Sequence, residues 1–562
     1  MKTKENIEFA ENTLSNLTRL TVADNQVNVV NSLFDLFIQR IEAWVNGKSV
    51  EAGIEDIKIP FNWRQGQEFT LRFNQPVNSA DLVKVFFFDS QIGPLVFTNE
   101  IKPVPVPTAD HRQSIFQFFR SDFQVDLLLD ARKVLGKATK QKRGVAFYPF
   151  TTSQDISHFL KNREQLLAPS LRSVKPDLLG IAFTDPVDQE MLQSFCGLCT
   201  ELQCIPVFHF HSTNNQGIIS STLRTAAALL QPDEQQPEMI VSFQADNADT
   251  IVQQFCESLL SSFSGLTIFL NDPSLFRLTN QPANSLHTLI NSGRVIPTLS
   301  RIEPGPSAWF EADKAQEKDF ASALVHGFDQ YLKKIRAILQ ANHLDDTVRI
   351  AINPWSFFRA PTKEGGYSVN LSAQDAFYYA GMVNRLLRNS NLVSHALVGP
   401  LIGDAGLLRL ENDQVYPSAV FPFFQLMQDI EENILAFEML PNRPVPEYFW
   451  SGIKGAMEAV ELPIVEGFAS RSNDGSKVFL NVVNRSPRKR AVIRISFINF
   501  EDMRPLKAGV IRRNRKQDRN YPDKVNNVTF AEISVRKYRR MDHVNLDIPA
   551  SGIASMVLTS EP

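Results

Sequence analysis

Cysteine is scarce, four residues in a chain of 562, too few for a disulfide scaffold and in keeping with a reducing compartment. Long apolar runs are missing too. No stretch approaches the roughly 18 uninterrupted apolar residues of a membrane-spanning helix, and the opening MKTKENIEFAENTLSNL has no apolar core of a secretory signal behind its lysines. A cytoplasmic protein with no transmembrane segment is therefore expected. The sequence also lacks a phosphate-cradling Walker loop, a dinucleotide fingerprint and a serine nucleophile elbow, so no cofactor is expected. Neither sign of charge dominates: 58 Lys+Arg stand against 61 Asp+Glu, a net charge of -3. With 43% hydrophobic and 21% charged residues, wholesale disorder is excluded.

What is present is uneven. From Pro441 onward there are 21 basic and 13 acidic residues, a local charge of +8 that leaves -11 on the remainder. The basic residues concentrate in SPRKR (Ser486 to Arg490), IRRNRKQDRN (Ile511 to Asn520) and VRKYRR (Val535 to Arg540). Such clusters suit an acidic partner, a phospholipid head-group surface or another polyanion. The plainer reading is a set of solvated strand edges whose lysines and arginines block edge-to-edge pairing.

The length calls for several domains. Between Asn12 and Trp44, Leu14, Leu17, Val22, Val27, Val30, Leu33, Phe34, Phe37 and Ile41 recur at mostly three- and four-residue intervals, which predicts helix. From Ile54 to Pro107, short Phe- and Val-rich runs such as FTLRF predict a small β unit followed by a Pro-rich connector. Eight apolar runs then alternate with helical stretches: GVAFYPF from Gly144, LLGIAF from Leu178, CIPVFHFH from Cys204, MIVSFQA from Met239, LTIFLN from Leu266, RVIPTLS from Arg294, VRIAIN from Val348 and LVSHALVG from Leu392. Repeated βα units imply parallel strands, and eight of them imply a closed (β/α)8 barrel of the TIM type. After about Leu440 short strands separated by Asn-Asp-Gly and Pro turns predict a β-sandwich. The expected organisation is a helical and β N-terminal region over 1–110, a barrel over 111–439 and a basic sandwich over 440–562.

Specific strings then add a resemblance. DAFYYAGMVNRLLRNSNLVSHALVGPLIG (Asp375 to Gly403), YPSAVFPFFQLMQD (Tyr416 to Asp429), GFASRSNDGSKVFLNVVNRSP (Gly467 to Pro487) and LDIPASGIASMVL (Leu546 to Leu558) resemble, in order, the end of the barrel and the sandwich of α-L-arabinofuranosidases of glycoside hydrolase family 51. Further back, LTIFLNDP is similar to the family's fourth strand and puts Asn271 and Asp272 at the Asn and acid/base positions. VRIAINPWSFFR is similar to strand seven and aligns Asn353, Pro354, Trp355 and Ser356 with the string that carries the nucleophile. This register counts strands from Leu178 and leaves strand six unassigned between Ile302 and Ala341, whereas the eight runs count from Gly144.

The departures fall on chemistry. The resemblance places the nucleophile at Pro354, an acid/base shortened to Asp272, and Gly399 where strand eight should supply a sugar-contacting Gln. Retaining glycoside hydrolysis needs two carboxyl groups about 5–5.5 Å apart, and proline can neither attack nor transfer a proton. The expected function is a catalytically degenerate glycoside-hydrolase-like protein, a scaffold binding a carbohydrate or a partner. Two alternatives stand beside it: an active hydrolase with relocated carboxylates, Asp185 or Asp246 working with Asp272, and a module that binds polyanions or proteins through its basic sandwich. Candidate substrate-binding residues are Asn271, Trp355, His209, His211 and Asn353. His209 and His211 share one face of a strand, as metal ligands in barrel metallohydrolases do, but no further ligand set completes that pattern and no metal is expected. Cys196, Cys199 and Cys204 read as small core residues.

Overall fold

The computed structural model describes residues 19–98, 123–271, 290–305, 325–359, 371–440 and 460–560, with short gaps inside those spans, and the strand at 447–450. The expected N-terminal helix is not there. Residues Arg19–Ala23, Gln26–Val30 and Leu36–Val45 are antiparallel strands. The misreading has a physical cause in a bulge between Ile38 and Arg40. Ile38 is buried before it, and Ala43 and Val45 after it. One extra residue moves the inward set from even to odd numbers, and the resulting odd intervals imitate a helical stripe. Two sheets with the strand orders 19–23, 26–30, 68–73, 52–54 and 48–50, 36–45, 83–89, 93–98 enclose their own core around Trp63, Phe69 and Phe87. The predicted Pro-rich connector lies outside the described residues.

All eight predicted barrel strands form, in the predicted order, and close on themselves. They are β1 (Lys142–Ala146), β2 (Leu178–Phe183), β3 (Ile205–Phe210), β4 (Met239–Gln244), β5 (Leu266–Asn271), β6 (Val295–Gly305), β7 (Ile350–Arg359) and β8 (Val393–Val398). Every neighbouring pair is parallel, and β1 closes the ring by pairing with β8, Gly144 opposite Leu397. Strands buried on both faces need near-continuous apolar sequence, and β4 (MIVSFQ) is buried at all six positions. Each strand sends one residue to an apolar interior floor: Ala146, Leu178, Val207, Ile240, Phe269, Ile296, Ala351 and Leu397. The opposite faces pack against a shell that includes α1 (Ala168–Val174), α2 (Gln189–Leu202), α3 (Gln216–Leu230), α4 (Thr250–Ser262), α5 (Ala376–Arg388) and α6 (Phe421–Leu426). Asp188 caps α2 by accepting from the backbone N–H groups of Glu190 and Met191.

The C-terminal region forms two sheets. One has seven strands in the order 134–137, 433–435, 465–471, 477–484, 552–559, 504–512, 529–532, and the other has four in the order 438–440, 123–130, 491–498, 543–548. Between them lies a core of Val465, Val478, Leu480, Ile493, Leu546 and Met556, among others. The strand Phe123–Asp130, which precedes the barrel in sequence, runs parallel to Ala491–Ile498 over eight residue pairs. On the seven-stranded sheet Phe468, Phe479 and Val557 point the other way and join the outer core of the barrel. At this seam Glu466 is buried between Arg485 and Arg385, with the Arg385 Nη2 to Oε2 distance 3.1 Å.

Candidate active site

Side chains two residues beyond the floor on a strand face the same way, one layer nearer the C-terminal mouth. That layer holds Tyr148, Gly180, His209, Ser242, Asn271, Thr298, Asn353 and Gly399. Four of these are joined. The Tyr148 hydroxyl donates to Asn353 Oδ1 at 2.8 Å, the Asn353 amide donates to Ser242 Oγ at 3.2 Å, and Ser242 Oγ lies 3.1 Å from His209 Nδ1. The hydrogen bonds run in one direction when Ser242 donates its proton to His209, which places the imidazole proton on Nε2. The His209 ring stacks on Tyr148 with centroids 4.7 Å apart and planes 21° off parallel. Burial pushes the Tyr148 phenol well above its ordinary range, against the opposing pull of Asn353, so it stays a protonated donor. Ser300 Oγ donates to the Asn353 carbonyl at 3.3 Å.

One layer higher, Gln244 is buried, and its side-chain oxygen has no hydrogen-bond partner among the described residues. Thr298 is satisfied by its own strand, donating to the Ile296 carbonyl. Gly399 sits where the Tyr148 backbone crosses: a Cβ there would lie 1.9 Å from the Tyr148 carbonyl oxygen. No side chain fits at that position. Among the described residues that line this interior there is no carboxylate, and no group of three His, Cys, Asp or Glu could hold a metal ion. The arrangement is a set of oriented, uncharged donors and acceptors over an apolar floor. It suits hydroxyl groups better than ions.

The sequence-predicted residues separate into three groups. His209 and Asn353 come together in the polar layer, and Asn271 ends β5 half-buried beside them in the ring. Asp272 and His211 lie outside the described residues, as do Asp185 and Asp246. Trp355 does not face the interior. β7 shifts register between Ile352 and Trp355, which turns the indole outward against Tyr378 and Tyr379, at centroid distances of 6.3 and 5.7 Å. Pro354 is buried in the strand between them. Of the two strand counts, the barrel follows the one from Gly144. Strand six is Val295–Gly305, and the strand that ends in Asn271 is the fifth, so strand four ends at Gln244. The residues missed from sequence are Tyr148, Ser242 and Gln244, whose signal was a polar side chain in step with the interior floor of an otherwise apolar run.

No protein-family model matches the sequence, and no curated protein matches it either. Solved structures do. A family 51 arabinofuranosidase from Xanthomonas axonopodis pv. citri superposes with a TM-score of 0.57 at 12% identity, covering 78% of this chain and 100% of that one. The fold is that of the family 51 arabinofuranosidases. The α-L-arabinofuranosidase of Thermotoga maritima gives a TM-score of 0.55 at 13% identity, covering 77% of this chain and 100% of that one. The family 51 enzyme of Bifidobacterium longum gives 0.57 at 10% identity, covering 77% and 99%. The described residues contain no helix long and apolar enough to cross a membrane.

Proposed function

We propose that this chain is a catalytically degenerate member of the arabinofuranosidase fold, working as a carbohydrate-binding scaffold. The observation that supports the reading is the uncharged hydrogen-bonded layer of Tyr148, His209, Ser242 and Asn353 at the barrel mouth. Strand seven offers it an amide and then a proline, neither of which can attack an anomeric carbon or activate water. Strand four ends in Gln244, another amide. Fixed donors and acceptors of this kind bind hydroxyls of a neutral sugar, with Gln244 supplying an acceptor. Incubation with aryl α-L-arabinofuranosides should give no turnover above the uncatalysed blank, while arabinofuranosyl oligosaccharides give saturable heat in calorimetry. Turnover that disappears on Asp272→Ala would overturn the reading in favour of relocated carboxylates.

A second reading assigns the basic C-terminal sandwich to an acidic partner or polyanion. It is favoured by the +8 local charge. Several of its cations are already engaged, Arg490 with Asp547, Arg494 with Asp126 and Lys507 with Asp429. Retention on heparin with a steep fall in rising salt supports this reading, and a shallow one removes it.

A further inference from the structure

Among the described residues, the outer wall of the barrel is not fully covered. α6 spans six residues, less than two turns, and behind β1, β7 and β8 the helices α1, α5 and α6 leave a cavity of about 70 Å³. Its wall is apolar: Val145, Ala396 and Val398 from the strands, Leu386 from α5, Phe424 from α6 and the indole of Trp355. These residues are all buried. The space is several times the roughly 10–15 Å³ that one water occupies, and cavities lined this way stay dry and accept apolar guests. The opening differs from the wall. Val174, Val383 and Ile430 are half-exposed there, and Lys175 is exposed and has no ion pair among the described residues. Arg143, also on the rim, lies 3.4 Å from Asp177, so that carboxylate is already matched.

We propose that this cavity binds a small aliphatic carboxylate, its tail in the gap between β8, α5 and α6 and its head group against Lys175 at the rim. The site is separate from the barrel interior and stands whether or not the mouth binds sugar. Charge decides the class of ligand: a purely apolar molecule would leave Lys175 unused, and a cationic one would face Lys175. Trp355 gives the site its own reporter, because its ring lines the cavity while Asn353, two residues earlier, faces the interior.

The test is titration of the full chain with butanoate, pentanoate and hexanoate, by calorimetry and tryptophan fluorescence. One saturable site is expected, with affinity rising about fourfold per added methylene until the tail fills the cavity. Hexanol should bind about fivefold more weakly than hexanoate, and Lys175→Asn should weaken hexanoate by the same factor, the size of an exposed ion pair. Lys175 has a left-handed backbone, φ 51, which Asn tolerates. Val383→Trp, which closes the opening from its half-exposed edge, should abolish binding, and Trp355→Phe should abolish the fluorescence change. Absence of saturable hexanoate binding overturns the proposal. So does hexanol binding as tightly as hexanoate, or undiminished binding in a folded Val383→Trp variant.

Discussion

The charge that most sharply tests the account of the barrel–sandwich seam is Glu466, whose side chain is 3% exposed. Burial alone would raise its pKa, yet Arg485 and then Arg385 beside it hold the carboxyl at about 2, down from its ordinary 4.5. A pKa lowered by about 2.5 corresponds to about 3.5 kcal/mol at about 1.4 kcal/mol for each tenfold change in proton affinity. The sign follows from linkage: a depressed carboxylate contributes stability that is full above about 4.5 and is lost as pH falls toward about 2. Glu466→Gln keeps the shape and removes the charge, leaving Arg485, Arg385 and Arg388 without their shared counter-ion. Breaking a buried pair from one side costs about 3–5 kcal/mol, so two independent routes give the same scale. Arg388 sharpens the effect, because burial and then Arg385 already pull its guanidinium down to about 10. Urea denaturation at neutral pH should show this loss for Glu466→Gln, and the wild-type chain should lose stability in acid more steeply than the variant. A loss below about 1 kcal/mol, or equal acid dependence in both proteins, would refute the reasoning.

Other expectations follow from the same contacts. Tyr148→Phe removes the donor to the buried Asn353 oxygen and should cost about 1–3 kcal/mol in thermal or chemical unfolding; a neutral result would mean that the layer is not held by that bond. Gly399→Ala, which puts a Cβ against the Tyr148 carbonyl, should destabilise by at least about 1–3 kcal/mol, checked by melting temperature. Arg494→Met removes the guanidinium that sits 2.7 Å from Asp126, whose side chain is only 8% exposed, and should cost about 1–3 kcal/mol, less than Glu466→Gln because the arginine itself is 38% exposed. A cost as large as that of Glu466→Gln would show that the exposure of the arginine is a poor guide here.

The barrel was legible in the sequence because a strand buried on both faces must be apolar almost throughout, and eight such runs between helical stretches leave few other closures. The N-terminal strands were not legible, since the bulge at Ile38 broke the alternation on which a strand is recognised. The candidate site was half legible. His209 and Asn353 stood out as polar residues next to apolar strands, whereas Ser242 and Tyr148 looked like ordinary interruptions of MIVSFQA and GVAFYPF. What selects them is register, Ser242 two positions beyond Ile240 and Tyr148 two beyond Ala146, and register depends on which strands are neighbours. Trp355 failed for a related reason: the irregularity in β7 reverses its face, and nothing in NPWSFF announces it.

The parallel pairing of residues 123–130 with 491–498 has a consequence for how the chain is made. Asp126 meets Arg494 across 368 residues of sequence, so the four-stranded sheet cannot form until residues 491–498 have been made, after all eight barrel strands. The segment 123–130 then spends the synthesis of the whole barrel without its parallel partner, and cutting the chain after 440 leaves it only the short strand 438–440. Contacts of such long range also slow folding. A fragment ending after the barrel should therefore aggregate through this edge, and co-expression of residues 441–562 should rescue it.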